Sequence, residues 1–552
     1  METFSADTRR EALEAMASDV HDVLVIGGGI TGAGVARDAA MRGLRVALVD
    51  GGDFAHGTSS RSSCLIHGGL RYLEHGWLRL VFEASRERRT LLRIAPHVVR
   101  PRRFVFPVHQ GARVRRWQIW AAVWLYDILA LFRNVGRHRL LSKAGVLRIE
   151  TLLKDRGLLG GAAYFDAQCD DARLTLATVR SAHRHGARCA NYARVVALEK
   201  ADGRVRGALV EDVLTGRRFA VRAHSVVNAT GPWSDTLRRL DEPTAAPTLR
   251  PTKGAHVTVP QRRIGNAGAV TFTSPVDGRV MFVLPWDDVT LIGTTDTDST
   301  DSPDAVSADH DDVVYLLRSA NALFPDARLH DADVVAAWAA LRPLLDVPAE
   351  SASSVPREHR ITEEPSGMIT VAGGKLTTYR VMAAQTVAVV AKQLHGLDGR
   401  HVPAGADTDL EPLPGGEISD IGQVADELVK EGLDAGMARH LAGTYGAEAA
   451  AVAHIAQGDL ALASPLVVGG RWIRAEVVHQ ARREMAMSVS DVLTRRLHVF
   501  HRFPGHGLEA AGTVAELLGR ELGWSGEDAA ASAAAYRAEV EAMRRSIRPA
   551  AT

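Results

Sequence analysis

The residues of this chain whose types and spacing could do chemistry begin at Gly27. Gly27-x-Gly29-x-x-Gly32 follows an apolar run at 22–26, and Asp50 closes a second apolar run 18 residues after Gly32. Each position has a physical use. Gly27 permits a tight strand-to-helix turn, Gly29 lets a pyrophosphate approach the backbone, and Gly32 lets the helix pack close to the sheet. The N-terminus of a helix starting there offers unpaired N–H groups and partial positive charge to phosphates. Asp50 is placed to accept hydrogen bonds from a ribose. Together these specify a dinucleotide-binding unit. The polar loop at 51–61, GGDFAHGTSSR, lies directly behind it, and loops on a rigid scaffold are where chemistry tends to sit. Thr230-Gly231-Pro232 could set a second backbone edge against the same cofactor, and Gly373-Gly374-Lys375 is a further anion-seeking turn. Arg342, before Pro343, and a basic cluster at 356–360 complete the set.

These residues need a scaffold, and the apolar patterning predicts one. Residues 22–26 and 45–49 read as buried strands flanking a helix that stops at Gly43. Helical spacing recurs at 78–94 with an Arg-rich outer face, and again at 173–185. Residues 192–210 alternate as strand with a turn at Asp202-Gly203, and 225–229 is another buried strand. Strand patterns dominate 250–297 and predict an antiparallel sheet roofing the reactive end of the dinucleotide. The stretch 296–312 carries seven aspartates without the glycine and terminal glutamate of a calcium loop, so it reads as a solvated connection. A helix is expected at 313–324, and strand, Gly-Gly turn and helix at 366–380. Residues 396–416 have linker composition. Beyond them helices are expected at 421–431, 473–487, 488–497, 508–522 and 528–547, the last behind a Ser525-x-x-Asp528 capping box. A domain boundary therefore falls near residue 400.

Whole-chain properties exclude several classes. A net charge of +1 over 552 residues gives no basic excess for nucleic-acid binding. Cys64, Cys169 and Cys189 lack CxxC spacing, which argues against a disulfide scaffold or zinc site and fits a reducing cytoplasm. The acid-bearing N-terminus does not read as a signal peptide. The nearest approach to a membrane segment is 117–132, WQIWAAVWLYDILALF, flanked by Arg115, Arg116 and Arg133. Its expected state is a mostly buried helix, with an interfacial anchor as the alternative.

The chain strongly resembles the FAD-dependent glycerol-3-phosphate dehydrogenases. The matching blocks include VIGGGITGAGVARDAAMRGL, GTSSRSSCLIHGGLRYLEHG, VVNATGPWSD, KGAHVTVP, IGTTDT, VAGGKLTTYR and EVVHQARREMAMSVSDVL, covering roughly 20–500. The resemblance implies an α/β fold: a glutathione-reductase-like FAD-binding domain, an antiparallel-sheet substrate lobe and a helical C-terminal domain. FAD-binding segments are expected at about 20–75, 160–245 and 365–395, and the substrate lobe at about 76–159 and 246–364. The linker spans 396–416 and the helical domain 417–552. FAD contacts are expected at Gly27, Gly29, Gly32, Asp50, Thr58, Ser59, Ser60, Thr230, Gly231, Gly373, Gly374 and Lys375.

The implied reaction is oxidation of sn-glycerol 3-phosphate to dihydroxyacetone phosphate, with electrons passed to membrane quinone. A glycerophosphate oxidase would share these motifs and hand electrons to oxygen. The chemistry needs a base for the hydroxyl proton and cations for the phosphate. Arg342 and Arg357 resemble the family's phosphate-binding arginines, and the guanidinium fork suits phosphate. Arg71 and Tyr72 resemble substrate-contacting positions, while Lys375 is placed to hold substrate or stabilise reduced-flavin charge. His256 is the favoured base and His67 its rival, since imidazole accepts a proton near neutral pH. Cys64 stands where bacterial members usually carry lysine. That removes a positive charge which neighbouring Arg61 could compensate, and Cys64 itself reads as an inert packed thiol. The implied setting is cytoplasmic and peripheral on the inner face of the cell membrane; whether copies pair as a homodimer is left open.

Overall fold

The computed structural model describes residues 3–69, 76–131, 135–346 and 358–549. Two large sheets carry the site. The first has a parallel core in the order Ile369–Gly373, Arg218–Asn228, Val20–Ile26, Val46–Val49, Arg188–Ala190. Val20–Ile26 lies in the middle of that core and is almost wholly buried, which is why it reads as continuous apolar sequence rather than alternation. Helices Ile30–Met41, Asp171–Arg184 and Tyr379–Asp398 cover one face, with Ala33, Ala36, Val179, Ala383 and Val387 in a shared core. Small residues on Ile30–Met41 let these helices approach closely. The hairpin Ala193–Ala201 and Arg204–Asp212, turning at Asp202 and Gly203 as expected, joins the antiparallel side of Arg218–Asn228. An N-terminal helix, Ala6–Ser18, which the sequence reading did not anticipate, buries Ala12, Leu13 and Met16 beneath the hairpin.

Among the described residues the second sheet has ten strands. Leu249–Pro260, Val289–Gly293 and Val280–Trp286 are antiparallel, as the patterning predicted. Long-range additions were not legible: Ala336–Leu345 pairs along the whole of Leu249–Pro260, and Ala269–Thr273 runs parallel to Val99–His109. Leu158–Cys169 and Leu65–Ile66 complete the far side.

The C-terminal helices pack around Trp472, Val492, Leu518 and Tyr536. The capping box at Ser525 forms, with the Asp528 N–H donating to Ser525 Oγ at 3.2 Å. Two further helices, Ala435–Tyr445 and Ala449–Gly458, lie between the helices expected at 421–431 and 473–487. The segment Asp491–Arg496 is a π-helical turn, and it reaches back to the first sheet. Arg496 Nη2 donates to Asp53 Oδ1 at 3.0 Å and Arg495 Nε to Asp53 Oδ2 at 2.7 Å, holding the loop behind Asp50.

One expectation is corrected. The helix Arg116–Leu129 is not mostly buried: only Ile119, Val123, Tyr126 and Asp127 face inward. Trp117, Trp120, Trp124 and Ile128 are 64%, 47%, 42% and 49% exposed. A single stripe packs on the sheet, because one helix face is all that a sheet surface can cover. Among the described residues no helix is long and apolar enough to cross a membrane.

Candidate active site

Four turns gather at the carboxyl ends of adjacent parallel strands. Ile26 pairs with Val49 and Asn228, and Asn228 with Thr370, so Gly27–Gly29, Asp50, Thr230–Gly231 and Gly373–Lys375 all leave the sheet on one edge. That edge is where open parallel sheets bind ligands. Gly27 has φ +108°, and a Cβ there would lie 2.6 Å from the Ala229 carbonyl oxygen. A Cβ on Gly32 would run into the Gly27 carbonyl oxygen. Gly29 differs: a Cβ there would meet only Ser59 Oγ, at 3.1 Å, so its free face opens on the crevice. The helix Ile30–Met41 begins here without a side-chain cap. These features fit a dinucleotide pyrophosphate. Asp50 Oδ2 accepts the Gly28 N–H at 2.6 Å and Oδ1 the Gly52 N–H at 2.9 Å, bracing the turn from below.

The turn Thr58–Ser60 stitches the two sheets together. Ser59 Oγ accepts the Ile30 N–H at 3.0 Å, and Thr58 Oγ1 donates to the Leu341 carbonyl at 2.8 Å on the second sheet. Thr230 Oγ1 donates to Asn228 Oδ1 at 2.7 Å, fixing the second edge. Gly373 and Gly374 both have positive φ, and a Cβ on Gly373 would lie 2.5 Å from the Glu358 carbonyl oxygen.

A cleft of about 280 Å³ lies between these turns and the second sheet. His67, His256, Arg342 and Lys375 all line it, so residues far apart in sequence converge as expected. Arg71, Tyr72 and Arg357 lie outside the described residues. Strand register explains the convergence of His256 and Arg342. His256 pairs with Trp338, Gly254 with Ala340 and Thr252 with Arg342, so all six share one sheet face. The absence of a side chain at Gly254 makes room for the Arg342 guanidinium, which a Cβ there would meet at 2.5 Å, and Ala340 lines the cleft beside it. On the other side Gly293 pairs with His256, and a Cβ there would collide with the ring.

His256 is buried and stacked on Trp338, with ring centroids 5.6 Å apart. Its Nε2 lies 2.9 Å from Ser63 Oγ at the cleft wall. Burial, then the positive charge of Arg342, pushes its pKa down to about 3, so the ring is neutral at pH 7. His67 stands against Phe282, and its backbone N–H donates to Thr377 Oγ1 at 3.3 Å. Arg342 donates to Asp296 Oδ1 at 2.6 Å, Thr294 Oγ1 at 2.9 Å and the Thr295 carbonyl at 3.0 Å. Asp296 therefore departs from the solvated connection expected at 296–312: it is buried and holds the arginine. Asp309 and Asp312 likewise bind Lys253.

Sequence reasoning also passed over Ser63 and Asp166. Asp166 lines the cleft and accepts hydrogen bonds from Tyr126, at 2.5 Å, and from Arg88. Ser63 lies inside the block GTSSRSSCLIHGG, but the contact of each residue is with a partner over 35 positions away, which the local sequence does not show. The Cys64 thiol is buried, with its pKa raised by burial and by Asp171; it does not line the cleft, whereas Arg61 does. Among the described residues no acid, histidine or cysteine cluster could hold a metal ion.

Residues 22–388 match the family described as FAD dependent oxidoreductase, and 406–529 match the C-terminal domain of alpha-glycerophosphate oxidase. The dinucleotide crevice beside this cleft, together with the family match, thus defines a flavoprotein oxidoreductase with FAD as its cofactor. Glycerol-3-phosphate dehydrogenase 2 of Mycobacterium bovis is 38% identical over 544 residues, covering 97% of this chain and 90% of that protein. Aerobic glycerol-3-phosphate dehydrogenase of Staphylococcus haemolyticus is 37% identical, covering 87% of each. The FAD complex of the Bacillus halodurans glycerol-3-phosphate dehydrogenase superposes with a TM-score of 0.82 at 31% identity, covering 99% of both chains. The chain belongs to the FAD-dependent glycerol-3-phosphate dehydrogenase family.

Proposed function

We propose that this enzyme oxidises sn-glycerol 3-phosphate to dihydroxyacetone phosphate and passes the electrons to a membrane quinone. The observation that carries the reading is the shared sheet face placing a neutral His256 and the Arg342 fork together beside the dinucleotide crevice. The residues that hold FAD are Gly27, Gly29, Gly32 and Asp50, the Thr58–Ser60 turn, and Thr230, Gly231, Gly373 and Gly374. When bound, FAD supplies the two-electron acceptor for the hydride from the substrate C2.

Arg342 grips the substrate phosphate, with Arg357, Arg71 and Tyr72 as further substrate contacts, and Lys375 borders both sites. His256 takes the hydroxyl proton. Its Nδ1 is sealed from solvent and has no hydrogen-bond partner among the described residues, so Nε2, beside Ser63 Oγ, is the accepting atom. Substrate binding also tunes it. A phosphate on Arg342 offsets the charge that helps depress His256, raising its basicity when there is a proton to take. His67 serves the same cleft as the alternative base.

Quinone as acceptor is supported by the exposed Trp117, Trp120, Trp124 and Ile128, flanked in sequence by exposed Arg113, Arg115, Arg116, Arg137 and Arg139. Such a face suits the anionic inner leaflet of a cell membrane. Anaerobic glycerol 3-phosphate should bleach the yellow flavin, and NADH alone should not. A folded, colourless protein that binds only nicotinamide would overturn the reading. Equal rates with oxygen and with quinone, together with no sedimentation on anionic vesicles, would favour an oxidase.

A further inference from the structure

The inward face of the helix Arg116–Leu129 carries Tyr126, a residue with no part in the roles above. It is 1% exposed, and its ring packs edge-on against Tyr164 with centroids 6.2 Å apart. Tyr164 and Asp166 lie two apart on the strand Leu158–Cys169, so their side chains stand on one sheet face, and both line the cleft. The Tyr126 hydroxyl donates to Asp166 Oδ1 at 2.5 Å and accepts from Arg88 Nη1 at 2.7 Å. Arg88, on the helix Leu78–Ile94, pairs with Asp166 as well. The same hydroxyl accepts the backbone N–H of Gly68 at 2.9 Å, so its one proton and both lone pairs are used.

Gly68 sits between His67 and Gly69, which both line the cleft. No side chain fits there: a Cβ would meet Ser85 Oγ at 2.7 Å and Tyr126 Cε2 at 2.8 Å. Gly69 follows with φ +82°. The other bonds to this stretch are longer, 3.3 Å from the Gly68 N–H to Asp166 Oδ1 and 3.3 and 3.4 Å between the His67 backbone and Thr377. The Tyr126 hydroxyl is therefore the close anchor of the turn. The node also settles charge. Asp166 and Asp296 are the acids among the described residues of the cleft wall, and each is paired with an arginine. A site for a dianion needs its own carboxylates compensated, because like charges brought together are costly. We propose that Tyr126, with Arg88 and Asp166, is a positioning residue of the substrate cleft, fixing the His67–Gly69 turn while keeping the Asp166 charge paired.

The test uses the full-length holoenzyme and the variants Tyr126→Phe and Asp166→Asn, each close to the native side-chain shape. Hydrogen exchange over 65–69, read by mass spectrometry, reports the turn directly. Tyr126→Phe should speed exchange there by about tenfold and leave 20–50 as in wild type, since the Gly68 N–H is left with the longer bond to Asp166. The kinetic arm rests on the proposed substrate. Each variant should keep its flavin and raise KM for glycerol 3-phosphate by about tenfold, with kcat held within about threefold. The double variant should be little worse than the poorer single one, because a single node is broken in both. If Tyr126→Phe fails to fold, Asp166→Asn carries the same two readings. Wild-type exchange and KM, with or without a fall in melting temperature, would overturn the inference, as would fully additive effects on KM. Wild-type flavin that glycerol 3-phosphate fails to bleach would refute the substrate reading instead, and exchange over 65–69 would still decide the role of Tyr126.

Discussion

Arg342→Ala should separate two roles that one guanidinium performs. The fork is committed to Asp296, Thr294 and the Thr295 carbonyl, while its half-buried outer side borders the cleft. A hydrogen bond to a charged group contributes about 1.5–3 kcal/mol, so loss of the phosphate contact should raise KM by roughly 10- to 150-fold. That contact exists in ground and transition states alike, so kcat should change less. The second effect is on stability. Asp296 is 4% exposed and would lose its guanidinium partner. Breaking a buried pair costs about 3–5 kcal/mol, and the 22% exposure of Arg342 places this one near the lower end. The double variant Arg342→Ala/Asp296→Asn removes the stranded charge, so it should regain most of the denaturant midpoint while KM stays high. Steady-state kinetics and urea titration on the three proteins decide the matter. A single variant with near-normal KM, whose only defect is cured by Asp296→Asn, would refute substrate binding and leave Arg342 as a structural ion pair.

Three further outcomes are expected. His256→Ala should lower kcat by roughly 10²- to 10⁴-fold with a smaller change in KM; in the wild type the acid limb of kcat/KM should fall below pH 6.5, and that of kcat should lie higher because bound phosphate offsets Arg342. A pH-independent rate in His256→Ala equal to wild type would eliminate it as the base. Gly29→Ala should fold normally and lose flavin affinity, since its Cβ meets only Ser59 Oγ, whereas Gly32→Ala should fail to fold or emerge without flavin; full flavin occupancy in Gly29→Ala would show that the pyrophosphate lies elsewhere. Stability should fall on acidification below about pH 6.5, because burial pushes His97 and His256 down to about 3 and His479 to about 4. Between those values and the unfolded value near 6.5 the unfolded chain holds more protons, so stability is fully present above that window and is lost as pH drops through it. A urea midpoint unchanged from pH 6.5 to 4.5 would contradict this.

The sequence by itself determined the nucleotide unit. Glycine spacing, apolar strands and Asp50 are local constraints, each imposed by backbone geometry within about 30 residues, and the structure reproduces them at 20–50. The Asp202-Gly203 hairpin and the Ser525 cap were legible for the same reason. The cleft was legible only as a set of residues, through motif resemblance. What joined His256 to Arg342 is a strand register between segments some 80 positions apart, and no local pattern encodes which strand pairs with which. Tertiary structure also overturned two local readings. An aspartate-rich stretch looks solvated until one member, Asp296, meets a buried arginine, and an apolar Trp-rich helix looks buried until the sheet beneath it proves wide enough for only one face. Local sequence fixes the conformation of a turn or a strand; burial and charge pairing are properties of the surroundings, and only the assembled chain supplies those.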